Sequence, residues 1–267
     1  MAKGAIARNA IAAILWTFFV ADVVAAATMA NRALESLHTV PAYRTSGPLV
    51  SIIIPTLEEQ DYVGDLLDSI CGQTYQDLEV IVVDSSPEGP KQLTQEVLAR
   101  YGLSLFDLPR LGIAAARNYG AEMAAGEIVM FCDADCIMSP QYVERMVEAL
   151  GNGAVLAHGV DCFYDSLPCA LFSAPWALIK PGWHTTGRGI TMRRHDFWEV
   201  GGYDEKCDPM QGCREDIDLG RRVADRYGIE SLQVVGDAFI GTSARRGCLV
   251  GTALWPVRGV RNGQIEY

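Results

Sequence analysis

Leu49-Val-Ser-Ile-Ile-Ile-Pro-Thr56 is a short, continuously apolar, β-branched run, and similar runs return at Leu78-Glu-Val-Ile-Val-Val-Asp84 and Glu127-Ile-Val-Met-Phe-Cys132. Runs of this kind, bounded by turn residues, read as strands buried on both faces. Between them the spacing changes. Val63, Leu66, Leu67 and Ile70 recur at helical intervals over Tyr62–Cys71. Further helices are expected over Gln92–Tyr101, Ile113–Ala125 and Pro140–Leu150, the last opening on a proline. A brief strand is expected over Leu103–Phe106. This alternation predicts an α/β fold with a mostly parallel central sheet flanked by helices.

Working outward, the second half is less regular. Strands are expected over Ala154–Phe163, Gly189–Arg193, Leu232–Val235 and Ala238–Gly241, and a helix over Glu215–Tyr227. Leu167–Pro181 reads as a loop with short helical pieces. Toward the amino terminus, His38–Pro48 reads as a linker, with Pro41, Gly47 and Pro48.

Before it lies Ala10–Ala30, 21 residues whose only charge is Asp22. A helix of that length is about 30 Å long, close to the hydrocarbon thickness of a bilayer. Thr17, Asp22 and Thr28 do not share one helical face, which argues against a helix lying on a surface. Three readings stand: a membrane anchor, a helix packed on protein or on a second copy of the chain, and a cleaved signal peptide. Asp22 at mid-bilayer costs about 3 kcal/mol, which weighs against the first. Flanking positive charge is nearly balanced, so orientation is poorly specified.

The chain has 267 residues, 49% of them apolar, which is enough to bury a sizeable core. With 33 acidic and 22 basic side chains the net charge is -11. Such a surface repels phosphate backbones and makes nucleic acid an unsuitable general partner. Eight cysteines show no CxxC pair. They read as thiols in a reducing compartment rather than as a zinc site or a disulfide framework.

The chemistry concentrates at strand ends. Ligands of parallel sheets bind outside the carboxyl ends of the strands. The strand Ile128–Cys132 runs into Asp133-Ala134-Asp135. Carboxylates at i and i+2 of a strand point to one side and repel, and a divalent cation relieves that while bridging them to a diphosphate. Pro55, Thr56 and Glu59 follow the first strand, and Asp84 ends the second, suited to a base or ribose edge. Arg117 precedes the fourth strand, where a guanidinium meets phosphate or pairs with an acid. Arg214-Glu-Asp-Ile-Asp218 opens a helix, where acids match the dipole and one could serve as a general base. Gly187-Arg188-Gly189 and Glu199-Val-Gly-Gly-Tyr-Asp204 are able to pass close to a substrate.

Taken in order, Ser51–Thr56, Gln73-Thr-Tyr75, Glu79–Asp84, Ala116-Arg-Asn118 with Gly120, Gly126-Glu127 through Asp135, Val200–Asp204 and Glu215-Asp216 resemble the family-2 glycosyltransferases of the GT-A fold. The resemblance covers about residues 49–227. It implies a Rossmann-like GT-A domain and inverting transfer of a sugar from a nucleotide-diphosphate sugar to an acceptor hydroxyl. It divides the chain into a hydrophobic segment and linker (1–48), a catalytic domain (49–245, with 49–136 for the nucleotide and 137–245 for the acceptor) and a tail (246–267). Pro55, Thr56, Glu59 and Asp84 match nucleoside positions, with Arg117 and Ala134 on the same donor side. Asp133 and Asp135 match the ligands of Mn²⁺ or Mg²⁺. Asp216 matches the base, with Glu215 and Arg188 toward the acceptor.

There are departures. The family often has Tyr-Asn after Pro-Thr; Leu57 and Glu58 stand here. Ser85-Ser86-Pro87 replaces the usual Asp-Gly-Ser, and a late histidine ligand gives way to Thr242-Ser-Ala-Arg-Arg246. The Gln-x-x-Arg-Trp motif of processive synthases is missing after Asp216, so a non-processive enzyme is expected. The rivals are a phosphatase with DxD at a strand end, a nucleotidyltransferase on a related sheet, and an inactive membrane-tethered scaffold. Because nucleotide-sugars are made in the cytoplasm, the catalytic domain is expected to face it from the membrane, acting on an acceptor that is lipid-linked or a glycan.

Overall fold

In a computed structural model of the chain, the described residues are 27–28, 30–37, 42–109, 111–166, 185–207, 213–246, 260–261 and 264–265. The apolar runs of the first half are parallel strands: β1 (Val50–Thr56), β2 (Leu78–Asp84), β3 (Leu105–Asp107) and β4 (Ile128–Phe131). Val50 sits opposite both Leu78 and Ile128, and Thr56 lies beside Asp84. The register therefore delivers the carboxyl ends of β1, β2 and β4 to one edge.

The second half adds β5 (Cys136–Met138), β6 (Leu156–Phe163), β7 (Ile190–Arg193) and β8 (Leu232–Thr242), and the eight strands form one sheet in the order β3-β2-β1-β4-β7-β6-β8-β5. The sheet is mostly parallel, as expected, but mixed: β6 and β8 run parallel to each other and in the direction of β1–β4, while β7 runs antiparallel to both β4 and β6, and β5 antiparallel to β8. An apolar run reports that a strand is buried, not the direction of its neighbour. The two expected strands after residue 231 are one. β8 continues through Gly236-Asp237 across a register shift at Gly159/Val160, where the partner jumps from Val235 to Phe239.

Helices cover both faces. They are a helix over 30–36 (α1), α2 (Val63–Cys71), α3 (Glu88–Ala99), α4 (Ile113–Met123), α5 (Tyr142–Gly151), α6 (Arg194–Glu199) and α7 (Glu215–Tyr227). On one face Val63, Leu66, Leu67, Tyr142, Val143 and Met146 pack on Ile52, Ile54 and Met130. On the other, Ala116 and Ala121 of α4, Phe197 of α6 and Leu219 and Val223 of α7 pack on Ile53, Val83 and Phe131. Burying each large apolar side chain contributes about 1.5–3 kcal/mol, so these two layers hold the sheet edge in place. Gly120 matters to that placement. A Cβ there would lie 2.4 Å from Ile53 Cγ2, so only glycine lets α4 rest this close to β1.

Most of Ala10–Ala30 lies outside the described residues, as do Leu167–Pro181 and most of the 246–267 tail. Where the amino-terminal segment is described, it packs on protein: Ala30, Ala33 and Leu37 are buried, and Ala33 joins Val160, Cys162 and Phe239. Among the described residues no helix is long and apolar enough to cross a membrane. The cysteine expectation is corrected at one place, where Cys207 and Cys213 form a disulfide. Neither their spacing nor the composition signals it. Cys132, Cys136 and Cys162 are buried free thiols. Burial pushes Cys136 well up and Cys162 to about 12, so neither is a nucleophile.

Candidate active site

β4 ends at Phe131, and Asp133-Ala134-Asp135 form a turn closed by the Cys136 N–H donating to the Asp133 carbonyl at 3.2 Å. Strand alternation therefore does not align the two aspartates, because the strand stops before them. Each has instead its own guanidinium. Arg117 Nη2 donates to Asp133 Oδ1 at 2.7 Å, while Arg245 Nη2 reaches Asp135 Oδ2 at 3.2 Å. The backbone of Ala134 is buried between them.

Arg117 is the hub. Its side chain is only 1% exposed, and its Nη1 donates to Glu215 Oε1 at 2.8 Å. One buried cation thus ties the turn after β4 to the first turn of α7. Its guanidinium lies 5.1 Å over the Tyr203 ring, which rests edge-on against Phe131. Asn118, the next residue of α4, clamps the Tyr203 backbone with 2.9 Å bonds to both its N–H and its carbonyl. Gly187 completes the cradle, since a Cβ there would stand 2.1 Å from Arg117 Nη2. Burial pulls the arginine down, but Tyr203, Asp133, Glu215 and Asp216 more than offset it, and the pKa stands above the ordinary value. Burial also raises the Asp133 carboxyl, against the pull of Arg117.

Asp216 sits beside Glu215 with its side chain 4% exposed. Its Oδ2 accepts from the Gly187 N–H at 3.1 Å and Arg214 Nη2 at 2.8 Å, and its Oδ1 from the Ile217 N–H at 2.8 Å. Three donors fix the orientation of this carboxylate. Gly187 belongs to the glycine-rich stretch expected to pass close to a substrate; Arg214 carries no expected role, and its only signal is adjacency to Glu215.

At the ends of β1 and β2, Thr56 Oγ1 donates to Asp84 Oδ2 at 2.6 Å, and Ser86 donates to both oxygens of Asp84. Asp84 is fully buried and here braces the loops after β1 and β2. Ser86 Oγ in turn accepts from the Glu58 N–H at 2.8 Å. Pro55 precedes Thr56 at the same strand end, and buried Glu59 accepts from Arg245. Arg188 does not join Asp216. It pairs with Asp161 Oδ2 at 3.1 Å and lies over Phe163, on the side of Asp133 and Asp135, whose charges with that of Asp161 raise its pKa against burial. Asp161 was legible only as a strand residue.

These neighbours form one constellation from strand ends far apart in sequence, and its order is the order of a known family. The profile of glycosyl transferase family 2 matches residues 51–217, more than half of the chain. The chain belongs to glycosyl transferase family 2. Glycosyltransferase AglE of Haloferax volcanii is 36% identical over 118 residues, covering 42% of this chain and 39% of AglE. Validoxylamine A glucosyltransferase of Streptomyces hygroscopicus subsp. jinggangensis is 25% identical over 228 residues, 68% of this chain and 53% of that one. The family-2 chain thus spans about two-fifths to one-half of these relatives' length. Mannosyltransferase PcManGT of Pyrobaculum calidifontis, solved with GDP-Man and Mn²⁺, superposes with a TM-score of 0.58 at 23% identity over 92% of this chain and 71% of its own. That likeness shows the fold: a GT-A-like α/β domain with a curled, mixed sheet.

Proposed function

We propose that this enzyme is an inverting, metal-dependent, non-processive glycosyltransferase that moves a sugar from a nucleotide-diphosphate donor to an acceptor hydroxyl. The observation that carries the reading is the Arg117 bridge. Through one buried guanidinium it joins the turn at Asp133 to the turn at Glu215-Asp216; the Asp133 and Glu215 carboxylates are half-buried.

The roles follow from placement. Thr56, braced by Asp84, shapes the nucleoside end, with Pro55 beside it. Asp133 and Asp135 supply an all-oxygen donor pair, which suits a hard cation completed by diphosphate oxygens. Asp133 and Asp135 would hold Mn²⁺ or Mg²⁺, which would supply neutralisation of charge on a departing diphosphate. Asp216, oriented by Gly187, Arg214 and Ile217, takes the proton of the attacking hydroxyl. Attack from that side, opposite the leaving diphosphate, inverts the anomeric centre through an oxocarbenium-like transition state.

The donor and metal of PcManGT support this class of donor and ion. The apolar run Ala10–Ala30 supports a membrane-associated enzyme with a lipid-linked acceptor facing the cytoplasm, or one that self-associates through that segment. The Cys207–Cys213 disulfide weighs against a cytoplasmic face, because such bonds persist in oxidising compartments. Protease added to intact cells leaves a cytoplasmic domain whole; clipping places it outside.

The activity is tested by screening nucleotide-sugars with Mn²⁺ for thermal stabilisation, since a ligand of the folded state raises apparent stability. The stabilising donor is then supplied with acceptors. Release of nucleoside diphosphate with a new glycosidic bond of inverted configuration supports the reading. Transfer of the nucleotide instead, or no donor binding at all, rejects it.

A further inference from the structure

Arg245 closes over the second aspartate from a point far along the chain. It lies in the turn Ala244–Arg246 that follows β8. Its Nη2 and Nε reach Asp135 Oδ2 at 3.2 and 3.3 Å, and Nη2 also donates to Glu59 Oε2. The guanidinium stacks 4.0 Å over the Tyr62 ring. Both acids are buried, with side chains 4% (Glu59) and 6% (Asp135) exposed. The turn is held in this position. Asp165 accepts from Ser243 Oγ at 2.6 Å and the Ala244 N–H at 2.7 Å, and the Ser243 N–H donates to the Asp135 carbonyl at 3.1 Å.

Arg245 holds Asp135 Oδ2, while Asp135 Oδ1 accepts from Thr242 Oγ1 at 3.5 Å, so a cation on either oxygen of this carboxylate would sit beside the guanidinium. A carboxylate oxygen forked by a guanidinium cannot also sit about 2.1 Å from a divalent ion without bringing two cations together. We propose that Arg245 is the resident counter-cation of Asp135, and that a divalent metal reaches this aspartate only by displacing it. The metal affinity of the site is then set by Arg245, because the apparent affinity falls by the fraction of molecules in which Asp135 is open. The inference rests on the metal reading of Asp133 and Asp135 given above.

The test uses Mn²⁺ alone, titrated into the full chain, with the free ion read by electron paramagnetic resonance. Arg245→Gln removes the charge and keeps a polar side chain. It should tighten Mn²⁺ binding by roughly tenfold to a hundredfold, the range a charged hydrogen bond commands. Tyr62→Leu leaves every acid and Arg245 in place and removes only the ring beneath the guanidinium. It should tighten binding by about two- to fivefold, and it serves if Arg245→Gln does not fold. Adding Asp135→Asn to Arg245→Gln should abolish the gain. Unchanged or weaker binding in Arg245→Gln and Tyr62→Leu overturns the inference, as does a gain that survives Asp135→Asn. A chain that transfers sugar while Arg245→Gln binds Mn²⁺ no tighter sinks this inference alone. One that shows the gain but transfers no sugar sinks only the proposed function.

Discussion

At the residue scale, Arg117 carries more than any other side chain. It is a buried cation with two carboxylate partners, and removing it leaves Asp133 and Glu215 with an uncompensated charge between them. Breaking a buried pair from one side costs about 3–5 kcal/mol. Arg117→Ala should therefore lower unfolding free energy by about that much in a urea titration; a loss under about 1 kcal/mol would show that the bridge is not formed. Glu58 is a residue of the opposite kind. It is exposed, yet its φ is +58°, the only positive value at a non-glycine residue among those described. Asparagine tolerates the left-handed region better than glutamate. Glu58→Asn should stabilise the fold by about 0.5–1 kcal/mol, seen as a higher denaturation midpoint at unchanged slope. No gain, or a loss, would mean that the glutamate side chain repays its strain.

At the element scale, α7 and the segment before it position Glu215 and Asp216. Cys213 lies two residues before Glu215, and the bridge to Cys207 closes a loop with a sequence separation of 6. Chain-entropy reasoning gives such a loop about 2 kcal/mol of stabilisation. The double variant Cys207→Ala, Cys213→Ala should lose about that much in stability, and its turnover should fall as α7 loosens; unchanged stability would show that the thiols stay unlinked in solution. Much of the element plan was legible. β1, β2 and β4 announce themselves by apolar β-branched runs, and the expected Glu215–Tyr227 helix has the bounds observed. What was not legible has physical reasons. β5 is three residues long, too short for any period. α6 hides between charged residues and Gly201-Gly202, with Phe197 alone buried. The turn at Asp133–Asp135 looks, as sequence, like more of β4. Proximity across the sheet was also out of reach: nothing local in Arg245 or Arg117 says which acid each will meet.

At the scale of the whole molecule, the sheet is two halves of different construction joined along the β4–β7 pair. The parallel half presents the ends of β1, β2 and β4 to one edge, where Thr56, Asp84, Asp133 and Asp135 lie. The mixed half brings back Gly187, Arg188 and, through β8, Arg245 to that same edge. The proposed reaction centre lies where the halves meet, and among the described residues Arg117 and Arg245 are cations that bridge them. The claim that most needs testing is that Asp216, held at this junction, is the base. The direct measurement is turnover of Asp216→Asn beside donor affinity in the same preparation. The asparagine keeps the shape and loses the proton acceptor, so donor affinity should stay within about threefold while turnover falls by about 10²–10⁴-fold. Turnover equal to that of the natural enzyme, with donor bound as well, would contradict the account.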